Sequence, residues 1–263
     1  MDLITANLHL IVGGGFLIGF LIGITGVGAG SLTTPMLIGF GFPPAIAVGT
    51  DLLFASITKA SAALRHHRLG NVNWPILGWL AIGSLPGASL VVAWLYFSQA
   101  DTHLLAAAIR KVLAVALVFS AVAIALLPLL RKVHPSEDDA AEDMPPRKIG
   151  TLVFGLVLGA MVALTSVGAG AIGVAVLTGL YPMLLARRVV GTDIVHAVPL
   201  TLVSGLGHAG LGNLDVTLLA ALLAGSVPGI LIGSRLTGRI PDWLLRVVLS
   251  ITLLYAAYLL MNR

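Results

Sequence analysis

Long apolar runs, separated by short clusters of charge, constrain this chain more than any other feature. The first run begins near Leu8 and the last ends near Met261. About 20 apolar residues in a helix are enough to cross the hydrocarbon core of a bilayer. Only 10% of the 263 residues are charged, against roughly a quarter in a soluble domain. The sequence therefore predicts an all-α polytopic membrane protein.

Breaks in the apolar runs divide the chain into about ten predicted membrane segments, five on each side of a polar stretch. That stretch, residues 131–148, carries charges and prolines typical of a solvated linker. It separates a first membrane repeat, residues 1–130, from a second, residues 149–263. The first two segments of each repeat are too short to cross comfortably alone, so we expect them to be short, broken or re-entrant.

The two halves of the sequence are copies of each other. A shift of 142 carries the Gly-Thr-Asp of residues 49–51 onto residues 191–193, and a shift of 140 carries Val-Gly-Ala-Gly from residues 27–30 onto residues 167–170. Motifs that recur at a fixed spacing indicate an internal duplication. Because each copy has an odd number of segments, successive copies enter the membrane from opposite sides. The sequence therefore predicts two inverted-topology repeats.

The basic residues predict the orientation of the chain. In the inverted arrangement they gather on one face, which the positive-inside rule assigns to the cytoplasm. We therefore predict a multi-pass protein of the cell's inner (plasma) membrane, with a cytoplasmic linker and both termini outside. Bases at segment ends also account for the net charge of +4 without a nucleic-acid partner. The residues of this basic face are Arg65, Arg68, those of the linker, Arg187, Arg188, Arg235 and Arg239.

A glycine-rich motif occurs once in each repeat, as TGVGAGS at residues 25–31 and TSVGAGA at residues 165–171. Glycine allows the backbone conformations that end a helix. A helix that begins after the glycines presents unpaired N–H groups and the positive end of its dipole, which attract anions. Two such interruptions in an inverted repeat would converge near the membrane midplane. The alternative is that the small residues only let helices pack closely.

We expect these two interruptions to form a binding site for a small anion, surrounded by the lipid bilayer. Hydroxyl groups at Thr33 and Thr34 would add hydrogen-bond donors. The predicted substrate-binding residues are Thr25, Gly26, Gly28, Ala29, Gly30, Ser31 and Thr50 in the first repeat, and Thr165, Ser166, Gly168, Ala169, Gly170 and Thr192 in the second.

Asp51 and Asp193 are the acids within the predicted membrane segments, at equivalent places in the two repeats. Each follows Gly-Thr near a segment start, so one interpretation is a helix N-cap. The other is that they shape the polar site or take up protons, because a buried acid in a membrane is costly. His196 lies three residues after Asp193 on the same helical face and is either a proton relay or a packing histidine. Its counterpart is Phe54.

The remaining residue types limit the chemistry. Lys59, the one base deep within a segment, either attracts an anion or extends back to the cytoplasmic face near Arg65, and we favour the second interpretation. The chain has no cysteine, which removes disulfides and thiolate ligands, and we predict no metal and no cofactor. No ATP-binding motif is visible, so transport would use an ion gradient.

Two other functional classes stay open at this point. One is an intramembrane enzyme acting on a lipid phosphate, which usually needs a cluster of acids, a metal or an activated nucleophile. The other is a drug/metabolite-type exporter, which shares the five-plus-five arrangement and would bind larger organic molecules.

The motifs together resemble the TauE/SafE family, also called the sulfite exporter family. The resemblance covers nearly the whole chain except the linker, and includes the Leu-Gly-Asn of residues 69–71 and 211–213. It implies transport of small sulfur-containing or carboxylate anions, such as sulfite, sulfoacetate or other organosulfonates, with proton coupling. One departure is Ala171, where the first repeat has Ser31. We therefore predict a non-enzymatic, alternating-access secondary transporter that acts as an exporter. Small residues on its helix faces would permit a homodimer without requiring one.

Overall fold

A computed structural model of the chain describes residues 3–25, 31–98, 102–132, 144–236 and 241–262. These residues form ten α-helices and contain no β-strand, which confirms the all-α prediction. The helices are α1 Leu3–Thr25, α2 Thr33–Gly39, α3 Pro44–Arg68, α4 Trp74–Ser98, α5 Thr102–Lys132, α6 Lys148–Thr165, α7 Ala171–Leu180, α8 Ala186–Gly210, α9 Val216–Arg235 and α10 Asp242–Met261.

Eight of the helices in the described part of the chain are long and apolar enough to cross a membrane. The other two, α2 with 7 residues and α7 with 10, are the second helix of each repeat. The chain is therefore a multi-pass membrane protein with short elements in both repeats, as predicted. The structure refines that prediction, because α1 and α6 are each long enough to span alone.

The two repeats interlock rather than forming separate bodies. Helix α1 packs along α9 and α4 packs along α6, while α3 packs against α8 and α5 against α10. Each of these main pairs joins a helix of the first repeat to one of the second. The predicted linker therefore divides the repeats in sequence but not in space, and its residues 133–143 lie outside the described part.

Glycines bring the paired helices into close contact. A methyl group added at Gly19 of α1 would collide with the backbone of Ser226 in α9, and one at Gly15 would collide with Leu222. The positions rise together in both helices, so α1 and α9 run parallel. Small residues of this kind allow membrane helices to pack by close van der Waals contact. The packing interpretation of small residues therefore holds for these glycines.

Helices α3 and α8, which occupy equivalent places in the two repeats, run in opposite directions. Leu53 lies against Gly205, and the hydroxyl of Ser56 donates to the carbonyl of Val198 at 3.3 Å. As the residue number rises along α3, it falls along α8. Opposite directions are what inverted copies require, and the inverted topology across the bilayer stays a prediction.

Three basic regions meet at one end of the molecule. The side-chain amide of Asn73, just after α3, donates to the carbonyl of Met144 at 3.4 Å. The amide of Arg147 donates to the hydroxyl of Tyr181 at 2.9 Å, shortly before α8 begins. The ends of α3 and of the linker and the start of α8 therefore share one face, as the distribution of bases predicts.

Candidate functional site

The interruption in the first repeat is described only at its borders. Helix α1 ends at Thr25 and α2 begins at Thr33, and Ser31 lies half-buried in the turn that precedes α2. The predicted site residues Gly26, Gly28, Ala29 and Gly30 lie outside the described residues.

The interruption in the second repeat is present where the sequence predicts it. Helix α6 ends at Thr165, and α7 begins at Ala171. Between them Ser166, Gly168 and Gly170 have φ values of 60°, 125° and 129°. Residues other than glycine rarely adopt positive φ values. The glycines are therefore needed because the backbone must leave one helix and start another within a few residues.

Helix α7 returns along α6, so the pair is a helical hairpin. Tyr181, just beyond the end of α7, forms a hydroxyl–hydroxyl hydrogen bond with Thr151 in the first turn of α6. Leu180 also lies against Gly150 at the start of α6. The far ends of the two helices therefore meet, and the interruption at residues 166–170 forms the turn at the other end of the hairpin.

The paired Gly-Thr-Asp motifs connect each repeat to a turn of the other. The hydroxyl of Thr192 accepts a hydrogen bond from the amide of Asn73 at 2.9 Å. The hydroxyl of Thr50 accepts one from the amide of Asp215, the equivalent position, at 3.2 Å. The structure thus places Thr50 and Thr192 beside the aspartates, with their hydroxyls bonded to the turns of the opposite repeat.

Asp51 is fully buried and accepts a hydrogen bond from one hydroxyl group. Its Oδ2 atom accepts a hydrogen bond from Thr34 at 2.6 Å. The hydroxyls of Thr33 and Ser166 lie close enough to interact with the carboxyl group. Neither meets hydrogen-bond geometry, and Oδ1 of Asp51 has no partner in the described ranges. Because Ser166 belongs to the second interruption, the first-repeat aspartate lies beside the second-repeat break.

Asp193 is also fully buried, but no side-chain hydroxyl holds it. It packs against Gly173 in the first turn of α7, so closely that a methyl group there would collide with Oδ1. The Gly170 amide lies close enough to interact with it, yet among the described residues neither carboxylate oxygen has a partner in hydrogen-bond geometry. The aspartate therefore occupies the N-terminal end of α7, where the sequence predicts an anion.

The N-cap interpretation of the two aspartates is wrong for their own helices. Helix α3 begins at Pro44 and α8 at Ala186, so each aspartate lies about two turns inside its helix. Pro44 suits the first turn of α3, and the chain before each aspartate is already helical. Each carboxylate instead faces the start of a short helix, Asp51 at α2 and Asp193 at α7.

Lys59 does not extend to the cytoplasmic face, so the favoured interpretation is wrong. Its side chain is only 7% exposed, and its Nζ donates to the carbonyl of Ala169 at 2.9 Å. The ammonium group also interacts electrostatically with Asp51, Asp193 and His196. It does so because α3 crosses the interruption before α7, which sequence alone does not reveal.

His196 is fully buried, and its Nε2 lies 2.6 Å from the hydroxyl oxygen of Ser84 in α4. Its Nδ1 has no partner within the described part of the chain. Sequence reasoning missed Ser84, although the matched Gly-Ser pairs at residues 83–84 and 225–226 were a usable signal. The histidine therefore joins the cluster through a polar contact as well as through its position near Asp193.

We name Asp51, Lys59, Asp193 and His196 the central cluster. It lies between the repeats, with α3 providing two members and α8 the other two. A buried ammonium group can bind an anion, and carboxyl and imidazole groups can exchange protons. Among the described residues no group of three or more His, Asp or Glu side chains is arranged to hold a metal ion.

Comparisons with known proteins identify the family of the chain. The chain matches the model of the family described as sulfite exporter TauE/SafE over residues 11–260. It is 39% identical over 226 residues to the probable membrane transporter protein YjnA of Bacillus subtilis (strain 168), covering 86% of this chain and 88% of that protein. It is 28% identical over 255 residues to the probable membrane transporter protein YdhB of the same organism, covering 94% and 97%. No solved structure gives a significant match.

Proposed function

This chain belongs to the sulfite exporter TauE/SafE family of membrane transporters, and on that premise we propose that it is a secondary transporter that exports small sulfur-containing or carboxylate anions by alternating access. Sulfite, sulfoacetate and related organosulfonates are the substrates we expect. Transport is coupled to protons, and the protein is not an enzyme.

The central cluster is the observation that carries this proposal. Charged side chains inside a membrane are costly and usually mark the route of an ion or substrate. Here Lys59 of the first repeat meets the interrupted hairpin of the second at Ala169. Binding sites of secondary transporters often lie at the interface between two repeats, where interrupted helices meet. The positive charge of Lys59 at this interface favours an anion as the substrate.

The enzyme alternative is favoured by one contact, the short approach of Ser84 to His196. A hydroxyl and an imidazole at hydrogen-bond distance can form an activated nucleophile. The second imidazole nitrogen of His196 has no partner in the described ranges, whereas a catalytic histidine is normally oriented through that atom. We therefore assign the contact to positioning His196 in the central cluster.

The transport proposal is tested in liposomes that contain the purified protein. We expect labelled sulfite or sulfoacetate to cross the membrane faster than in protein-free liposomes, and an imposed pH gradient to drive its accumulation. No protein-dependent flux of sulfite, sulfoacetate or acetate would contradict the transport function. Flux that ignores the pH gradient would remove only the proton coupling.

We also propose the orientation with a cytoplasmic linker and both termini outside. Because the chain has no cysteine, single cysteines report sidedness without background labelling. Pro145 and Asn262 are exposed and suit this purpose. We expect a membrane-impermeant thiol reagent to label Asn262→Cys in intact cells, and Pro145→Cys only after permeabilisation. The reverse labelling would invert the topology.

A further inference from the structure

We propose that Lys59 binds the transported anion directly, and that the anion takes the place of the Asp193 carboxylate as the negative partner of Lys59. This inference rests on the proposed function and identifies its binding residue. The ligand class is a small monovalent oxyanion bearing a sulfonate, sulfite or carboxylate group. Asp193 accepts a proton from solution when its place is taken.

The hydrogen bonding of Lys59 leaves it able to bind a ligand. An ammonium group has three N–H donors. Within the described residues Lys59 makes one hydrogen bond, to the carbonyl of Ala169 at 2.9 Å. A buried charge with unfilled donors is unfavourable in a membrane. An oxyanion at this position would accept the remaining N–H groups and neutralise the charge.

Further unfilled polar atoms lie around the same cluster. Ser166 and Thr33 are buried, and their hydroxyl oxygens lack hydrogen-bond partners in the described part of the chain. Both lie close to the Asp51 carboxyl group, which itself interacts with Lys59. Hydroxyls are donors suited to oxyanions. The neighbourhood of Lys59 therefore offers donors from both repeats.

Asp193 is the group that an anion would displace. Its carboxylate is buried at the N-terminal end of α7 and has no hydrogen-bond partner among the described residues. It interacts electrostatically with Lys59 of the other repeat. Asp51 differs, because Thr34 donates a hydrogen bond to it. Releasing Asp193 from Lys59 breaks no hydrogen bond, whereas releasing Asp51 would break the one from Thr34. Asp193 is therefore the exchangeable partner and Asp51 the retained one.

The charges of the cluster then set the coupling. One lysine and two ionised aspartates give the cluster one net negative charge. Binding an anion without a proton would add a second net negative charge, which is costly in a membrane. If Asp193 takes up one proton as one monovalent anion binds, the net charge does not change. Proton binding and anion binding consequently strengthen each other by the same factor. The stoichiometry is one proton for each monovalent anion carried, and the proton and the anion move in the same direction.

The groups facing Lys59 and Asp193 are consistent with that stoichiometry. Among the described residues, α3 contributes Asp51 and α8 contributes His196 as titratable neighbours. The elements α2, α4 and the α6–α7 interruption contribute hydroxyls and amides. In the second repeat the position equivalent to Lys59 is Thr201, whose hydroxyl bonds within its own helix to Ala197 at 2.9 Å. Lys59 is thus the one cation among the described members of the central cluster, and we expect it to bind one anion.

Substitutions at Lys59 test the binding role. We expect Lys59→Gln to weaken the binding of sulfite and sulfoacetate by about tenfold to a hundredfold, the usual effect of losing hydrogen bonds to a charged group. Lys59→Arg keeps the charge and should stay within about tenfold of the natural protein. The matched control is Lys111→Gln, an exposed lysine, which should leave affinity unchanged. Dissociation constants come from anion-dependent thermal stabilisation in detergent.

A measurement on the unmodified protein avoids any folding defect of the variants. Adding acetate, which is monovalent, to protein in weakly buffered detergent should remove about one proton from solution per anion bound, as read by a pH dye. Uptake of no proton would overturn the exchange with Asp193. If the natural protein transports sulfite but Lys59→Gln binds it unchanged, this inference fails and the proposed function stands. If no anion is transported at all, both fail.

Discussion

Asp51 and Asp193 occupy equivalent positions in the two repeats, but their surroundings differ. Asp51 accepts a hydrogen bond from Thr34 at 2.6 Å, whereas Asp193 packs against the bare backbone of Gly173 and has no partner in the described part of the chain. The backbone around them is nearly the same, because Thr50 and Thr192 make matching bonds to opposite turns. The duplication has kept the scaffold while the side chains near the charges have diverged.

The same divergence affects the groups around the aspartates. Lys59 in α3 corresponds to Thr201 in α8, and His196 corresponds to Phe54. The first repeat thus provides the positive charge and the second provides the imidazole. A symmetric pair of helices therefore holds an asymmetric set of charges. We expect the first repeat to bind the anion and the second repeat to exchange protons.

The largest expected difference concerns the two aspartates themselves. Asp193→Asn cannot exchange a proton, so we expect pH-driven anion accumulation in liposomes to fall at least about tenfold, or 1.4 kcal/mol. Asp51→Asn should keep its dependence on the pH gradient, because Asp51 is not the exchangeable group. Equal losses in the two variants would show that the repeats do not differ in this role.

The largest expected effect on stability is at the glycine that faces Asp193. Gly173→Ala would place a methyl group against the carboxylate, and we expect it to lower the free energy of unfolding by about 3 kcal/mol, at the upper end for overpacking. Gly179→Ala in the same helix meets nothing within 4 Å and should raise stability by up to about 1 kcal/mol. Unfolding in a denaturing detergent measures both, and similar values would contradict close packing at Gly173.

A smaller effect is expected on the first-repeat side. Thr34→Val removes the hydroxyl that donates to Asp51, and we expect a loss of about 2 kcal/mol in unfolding free energy. Thr33→Val is the neighbouring control, because it removes a buried hydroxyl that lacks a partner in the described ranges, and we expect it not to lower the unfolding free energy. A larger loss from Thr33→Val would mean that the wrong hydroxyl has been assigned to Asp51.

The smallest effect is expected at the paired serines. Ser84 contacts His196 at 2.6 Å, whereas the equivalent Ser226 bonds within its own helix to Leu223 at 3.3 Å. Ser84→Ala should cost about 1 kcal/mol, a typical value for a bond between membrane helices. Ser226→Ala should be close to neutral, because such back-bonding contributes little. The same detergent titration compares them, and identical results would remove this asymmetry.

The sequence predicted more of the scaffold than of the site. The paired Gly-Thr-Asp motifs and the glycine-rich motifs identified the duplication and the helix interruption at residues 166–170, because each motif recurs in both halves. The buried location of Lys59 was the interpretation not favoured, since its acceptor, Ala169, lies 110 residues further along the chain. The bond from Asn73 to Thr192 likewise joins residues 119 positions apart. The substrate-binding role of the two threonines stays a prediction.

Hydropathy and internal repetition were sufficient to predict a helical membrane protein with two related halves and interrupted helices. These properties depend on local composition and spacing, which can be read along the chain. Only the packing of α3 against α8 and of the α6–α7 hairpin between them decided which charges meet. Electrostatic interactions depend on separation in space and on burial, and neither follows from position in the sequence.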